Sequence, residues 1–153
     1  MQKKQYTQAL GFYLIYPLLW TISRLPLWVL YRLSDFLFVL VATIGYRRSV
    51  ITSNLNRAYP GKDHRFIRSI RIRFYRHFCD MIVETIALMH INPKKIEQRI
   101  EFVNFEAIHQ SIERGRDVVA VVGHFGNWEW VPAINMGLPP HVIACSVYRP
   151  LKN

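Results

Sequence analysis

From Gln5 to Ser23 the chain runs nineteen residues without a charge, rich in Leu, Ile, Phe, Tyr and Trp. Such a run must leave water, either into a bilayer or into a protein core. Its length is close to the ~20 residues that cross a hydrocarbon core. Lys3 and Lys4 precede it, so a signal peptide competes with an anchor. The anchor is favoured, because apolar character continues past Arg24 to Tyr46 and no small-x-small cleavage site follows. Pro17 and Pro26 kink a membrane helix rather than forbid it. Tyr13, Tyr16, Trp20 and Trp28 suit interfacial positions. A buried core helix is the blander alternative.

The second apolar stretch, Leu27 to Tyr46, carries Arg32 and Asp35 near its start. Charges are costly at the bilayer centre, so this stretch is expected to lie in the interface. Between Arg47 and Arg76 stand nine Lys/Arg and one acid, Asp63. The positive-inside rule puts that side in the cytoplasm. With Lys3 and Lys4 at the other end, one clean span is not compelled, and a kinked, partly embedded anchor stays open.

Charge is divided unevenly along the chain. Residues 1–100 hold 16 Lys/Arg against 5 Asp/Glu, whereas residues 101–153 hold 4 against 5. The first part is therefore expected to meet an anionic partner. Cys79 and Cys145 have no paired spacing, which fits reduced thiols and a cytoplasmic active domain.

Past the turn Pro60-Gly61-Lys62-Asp63, with Asp63 as N-cap, a long helix is predicted to about His90. Ile67, Ile70, Phe74, Phe78, Met81, Thr85 and Leu88 make one face of it largely apolar. Arg65, Arg68, Arg71, Arg73 and Arg76 crowd its first half, as a solvated face or a surface for headgroups or an acidic protein. Asn92-Pro93 caps a short helix. Glu101–Phe105 reads as a brief strand, and Ala107 to Arg114 as a helix closed by Gly115. Val118 to Val122 reads as a buried strand, followed by a helix from about Asn127 to Met136 and a strand at His141–Tyr148. The order β–α–β predicts an α/β fold, a sheet covered by helices.

The strand at Val118–Val122 breaks at Gly123 and delivers His124, with Glu129 five residues on at a helix start. Reactive groups are commonly presented past the carboxyl end of such a strand. Histidine titrates near pH ~6.5 and accepts a proton at neutral pH. A carboxylate on its other nitrogen fixes the tautomer and stabilises the imidazolium. No Gly-x-Ser-x-Gly elbow occurs, so the nucleophile is expected to be a substrate hydroxyl. Amides around Gly126 and Asn127, near a helix N-terminus, would stabilise an oxyanion. These parts fit acyl transfer from a thioester to an alcohol. The His-Glu-x-x-His zinc helix is absent, and the other histidines show no ligand spacing, so no metal or cofactor is expected. A nucleic-acid-binding module would leave the apolar segment and the His/Glu corner unexplained.

His124-Phe-Gly-Asn-Trp-Glu129 resembles the His-x4-Asp/Glu motif of the glycerolipid acyltransferases, in the form found in the late acyltransferases of lipid A biosynthesis, the lauroyl/myristoyl transferase family. Ser53-Asn-Leu-Asn-Arg-Ala-Tyr-Pro60 is similar to that family's Asn-Leu-x-x-Ala-Phe-Pro segment, and Val147-Tyr-Arg-Pro150 to its Tyr-Arg-Pro segment. The resemblance implies an enzyme of the cell inner membrane, its catalytic part on the cytoplasmic face. It implies an acyl carrier protein as donor and a lipid A precursor as acceptor. His124 would be the general base, Glu129 its partner, and Arg149 a ligand for a substrate phosphate. Residues 1–46 would be the anchor and interfacial helix, and 47–153 the N-terminal part of the catalytic domain. Family domains run to about twice this length, so part of the sheet is expected to be missing. A sister enzyme acting on another glycolipid or phospholipid with acyl-CoA, and an inactive membrane-associated remnant, share these features.

Overall fold

Proline and glycine set the helix boundaries of the N-terminal unit. Helix α1, Gln2–Ser23, stops before Pro26, which stands at the N-cap of α2, Leu27–Ile44. Gly45, at φ 73°, closes α2 by returning its amide to the carbonyl of Val41, the left-handed conformation that glycine adopts without a Cβ penalty. Helix α3, Arg48–Ala58, follows at once, and α4, His64–Ala87, begins at Asp63. The Asp63 side chain accepts the amide of Phe66 at 2.8 Å, the N-cap expected from sequence. The computed structural model describes residues 2–146, with the side chains of 12–146. The chain divides into two compact units, Met1–Ile91 and Asn92–Asn153.

Helix α4 organises the first unit, and it buries a face that periodicity does not pick out. The buried row is Ile67, Arg71, Tyr75, Cys79, Val83 and Ala87, a strict succession of fourth residues. Of the apolar face read from sequence only Ile67 is in that row, and Phe74 is exposed. The reason is hydrogen bonding. Ser34 of α2 donates to Asp80 at 2.6 Å, and Tyr31 to Glu84 at 2.8 Å. Tyr75 donates to the carbonyl of Tyr46, and Arg71 to Thr52 Oγ1, each at 2.8 Å. Arg76 lies 3.7 Å from Asp35 and stacks over Phe38. Small side chains at Cys79 and Ala87 let the helices approach, while polar pairs fix their register. The apolar core is correspondingly small: Leu30, Val83 and Ala87, with Ile22, Leu27, Tyr31, Leu33 and Leu37 against them.

Helix α1 is tied to the end of α4 by a second polar clasp. Ser23 Oγ donates to the carbonyl of Trp20 at 2.8 Å and lies 2.7 Å from His90 Nδ1. The pair ties the end of α1 to the end of α4.

Large apolar side chains point away from this core. Phe12, Tyr13, Leu14, Trp28, Phe36, Val39 and Ile44 are all exposed. Helix α2 is long and apolar enough to cross a membrane, and 11% of it is buried within the protein. Among the described side chains, Leu27–Ile44 meets that test of length and composition, and this is the stretch expected to lie in the interface. The described apolar part of α1 is the shorter Phe12–Ser23. Asp35, the charge that argued against a span, is engaged by Arg32 and Arg76.

In the second unit, Asn92 accepts the amide of Lys94 and starts α5, Pro93–Glu97. Helix α6, Glu106–Glu113, ends at Gly115 with φ 67°. The Phe102 and Phe105 rings pack 4.8 Å apart, and His109 Nε2 lies 2.8 Å from the Gly137 carbonyl. The α/β expectation is met in its helices and not in its sheet. Among the described residues no β-strand forms at 101–105, at 118–122 or in the part of 141–148 that is described, residues 147 and 148 lying outside. A strand exists only through ladder partners, and a buried one needs cover on both faces. Val118–Val122 has neither, and Val119 and Val121 are 88% and 93% exposed.

Candidate functional site

The corner that sequence singled out lies in the second unit. Extended chain ends at Gly123, whose carbonyl accepts the amide of Phe125 at 2.8 Å, so His124 is the central residue of a γ-turn. Gly126 then takes φ 62°, a conformation costly for a side chain with a Cβ. The chain next enters a 3-10 helix, Trp128–Gly137, at Asn127, whose carbonyl accepts the amide of Trp130. Sequence predicted an ordinary helix here. Pro132 removes one donor and its ring crowds the preceding turn, which disfavours the α-helical bond pattern.

This corner presents His124 in the open and holds Glu129 half-buried in the first turn of the 3-10 helix. The imidazole packs on the indole of Trp128, with ring centroids 4.4 Å apart and planes at 48°. Among the described residues neither a hydrogen bond nor an ion pair joins His124 to Glu129. The two residues therefore share one loop–helix corner, with the histidine held by an aromatic face. Gly123 and Gly126 leave open space where a Cβ would stand. The first amides of a 3-10 helix have no partner within it. Arg149 lies outside the described residues, as does the whole Val147–Pro150 segment.

Sequence reasoning did not find a second feature, in the first unit. An open cleft of about 940 Å³ sits at the joint of α2, α3 and α4. Arg47, Arg48, Arg57, His64 and Arg71 line it, with Ser53 and Asn56 of the Asn-Leu-x-x-Ala segment. The arginines of α4, which sequence groups as one surface, are separated by the fold. Arg71 is 7% exposed and part of the cleft, whereas Arg65, Arg68 and Arg73 are exposed, Arg68 on a neighbouring opening. The signal that marks Arg71 is its position, four residues from Ile67 and from Tyr75 on the buried row. Among the described residues no three His, Cys, Asp or Glu side chains gather as a metal site.

A family model described as bacterial lipid A biosynthesis acyltransferase matches residues 1–153. No curated protein and no solved structure matches the chain.

Proposed function

The chain belongs to the bacterial lipid A biosynthesis acyltransferase family, and from that membership we propose that it moves a fatty acyl chain from acyl carrier protein to a hydroxyl of a lipid A precursor. The observation that carries the reading is the family match across the chain, together with a histidine and a carboxylate on one glycine-lined corner. In this mechanism His124 takes the proton of the acceptor hydroxyl as that oxygen attacks the thioester carbonyl. Glu129 turns toward the other ring nitrogen and stabilises the imidazolium. Amides at Gly126 and Asn127 hold the oxyanion of the tetrahedral intermediate. The intermediate collapses with cleavage of the carbon–sulfur bond, and the departing thiolate recovers the proton from His124. Arg149 binds a phosphate of the acceptor.

The site works at the cytoplasmic face of the inner membrane, with residues 1–46 as anchor and 47–153 as part of the catalytic domain. The exposed apolar side chains of α1 and α2 support this placement, because a water-soluble unit of this size hides most such groups. The basic stretch directly after α2 supports the cytoplasmic side. In the working enzyme Val118–Val122 pairs as a strand of the acyltransferase sheet and fixes the direction in which His124 points.

The test is acyl transfer from labelled acyl carrier protein to a lipid A precursor in detergent. His124→Ala is expected to lower the rate by about 10²–10⁴-fold, the range for a lost general base, with helical content retained. Undiminished transfer would overturn the mechanism. Supplying acyl-CoA in a parallel reaction, with mass spectrometry of the product, identifies the donor.

A further inference from the structure

The cleft in the first unit has a cation at its base with no counter-charge. Arg71 is nine-tenths buried, and its guanidinium spends one of five donors on Thr52 Oγ1, at 2.8 Å. Among the described residues no carboxylate pairs with Arg71, nor with Arg47, Arg48, Arg57 or His64 in the same cleft. Asp63, next to His64, already accepts the amide of Phe66 as the α4 cap. A buried guanidinium without an anion is unfavourable unless a ligand supplies one.

The backbone adds to the same field. Helix α3 starts at Arg48, and Arg47 before it takes φ 50° and offers no side-chain cap. No acidic residue stands in its first turn. Gly45, Arg47, Arg48 and Ser49, the chain leading into that helix, line the cleft. The Arg48 amide is returned to the Gly45 carbonyl, but the positive end of the α3 dipole still favours an anion, and Arg71 closes the opposite wall from α4.

On its other side Arg71 borders a second opening, about 540 Å³, which also shares Arg48 and His64. Phe38, Val39, Ala42 and Thr43 of α2 and Arg68, Ile72 and Tyr75 of α4 line it. The cationic recess is therefore continuous, through Arg48, His64 and Arg71, with a groove whose apolar wall is Phe38, Val39, Ala42 and Ile72, along the helix long enough to span a bilayer.

We propose that this cleft binds the phosphate of an anionic membrane lipid, gripped by the Arg71 fork and the start of α3, with the lipid's apolar part along the Phe38–Ile72 groove. Arg47 and Arg48 stand at the rim and supply attraction. The site lies wholly in the first unit and makes no use of His124, so it stands or falls separately from the acyltransferase reading.

The experiment is thermal unfolding of the full chain in a zwitterionic detergent, followed by helical circular dichroism. Two probes are compared at constant ionic strength: phosphatidic acid in the micelle, and inorganic phosphate, each against chloride. Phosphatidic acid is expected to raise the midpoint by about 5 °C or more at saturation, and inorganic phosphate by less. Arg71→Met is expected to abolish the rise while leaving the ligand-free midpoint at or above that of the parent, because a buried unpaired charge is gone. Arg48→Gln, at an exposed position, is expected to weaken the response about tenfold in concentration, and it stands in if Arg71→Met does not fold. An equal response to inorganic phosphate would overturn the lipid assignment. No response to either probe, or a full response in both variants, would overturn the site.

Discussion

His124 and Cys79 show how far a residue's chemistry is set by what surrounds it. His124 is the group sequence singles out, yet it packs on the Trp128 ring and makes no hydrogen bond to the Glu129 carboxylate among the described residues. A rotation about the Glu129 side chain is what the proposed chemistry requires, so Glu129→Gln should lower transfer less than His124→Ala. Cys79 is fully buried, and its thiol is pushed above its ordinary value by burial and by the neighbouring charge of Asp80. Both effects disfavour the thiolate, the reactive form. Cys145 is exposed. With a maleimide at neutral pH, Cys145 is expected to be labelled at least tenfold faster than Cys79, a difference of about 1.4 kcal/mol or more in effective barrier. Equal rates by peptide mass spectrometry would show that Cys79 is reachable in the native state.

Between elements, the α2–α4 pair is held by polar groups to an unusual degree. Ser34→Ala leaves the half-buried Asp80 carboxylate without its donor, at a cost of about 1–3 kcal/mol. Its effect should appear as a lower denaturant midpoint for the first unit. In the second unit the close approach is at Gly137, where a Cβ would stand 2.9 Å from the Phe105 ring. Gly137→Ala is expected to destabilise that unit by about 1–3 kcal/mol through overpacking, read as faster tryptic cleavage after Arg114 and Arg116. Capping was legible at this scale. Asp63 and Asn92 cap where sequence placed them, because a cap is decided by a few neighbouring residues. The buried face of α4 was not legible, because apolar periodicity marks the greasy side of a helix and not the side that its hydrogen-bonding partners select.

For the whole molecule, the open question is the sheet. The strand proposed at Val118–Val122 predicts that the amides of Val119 and Val121 exchange slowly once the site is assembled with donor and acceptor in a membrane. Exchange at the rate of free peptide under those conditions would set the strand aside. The helices of the first unit, with amides bonded in α2 and α4, supply the protected reference in the same experiment.

The amino-acid order alone determined the long helix α4, the caps at Asp63 and Asn92, the apolar stretches and the His-x4-Glu motif, because each depends on residues within a turn or two of one another. It also carried the family, since the motif blocks are read residue by residue. Only the tertiary structure decided which side of α4 is buried. It alone singled out Arg71 from its neighbouring arginines as the buried cation of a cleft. Those outcomes turn on partners far apart in the chain, such as Ser34 with Asp80 and Thr52 with Arg71, whose meeting is fixed by helix packing and not by local preference.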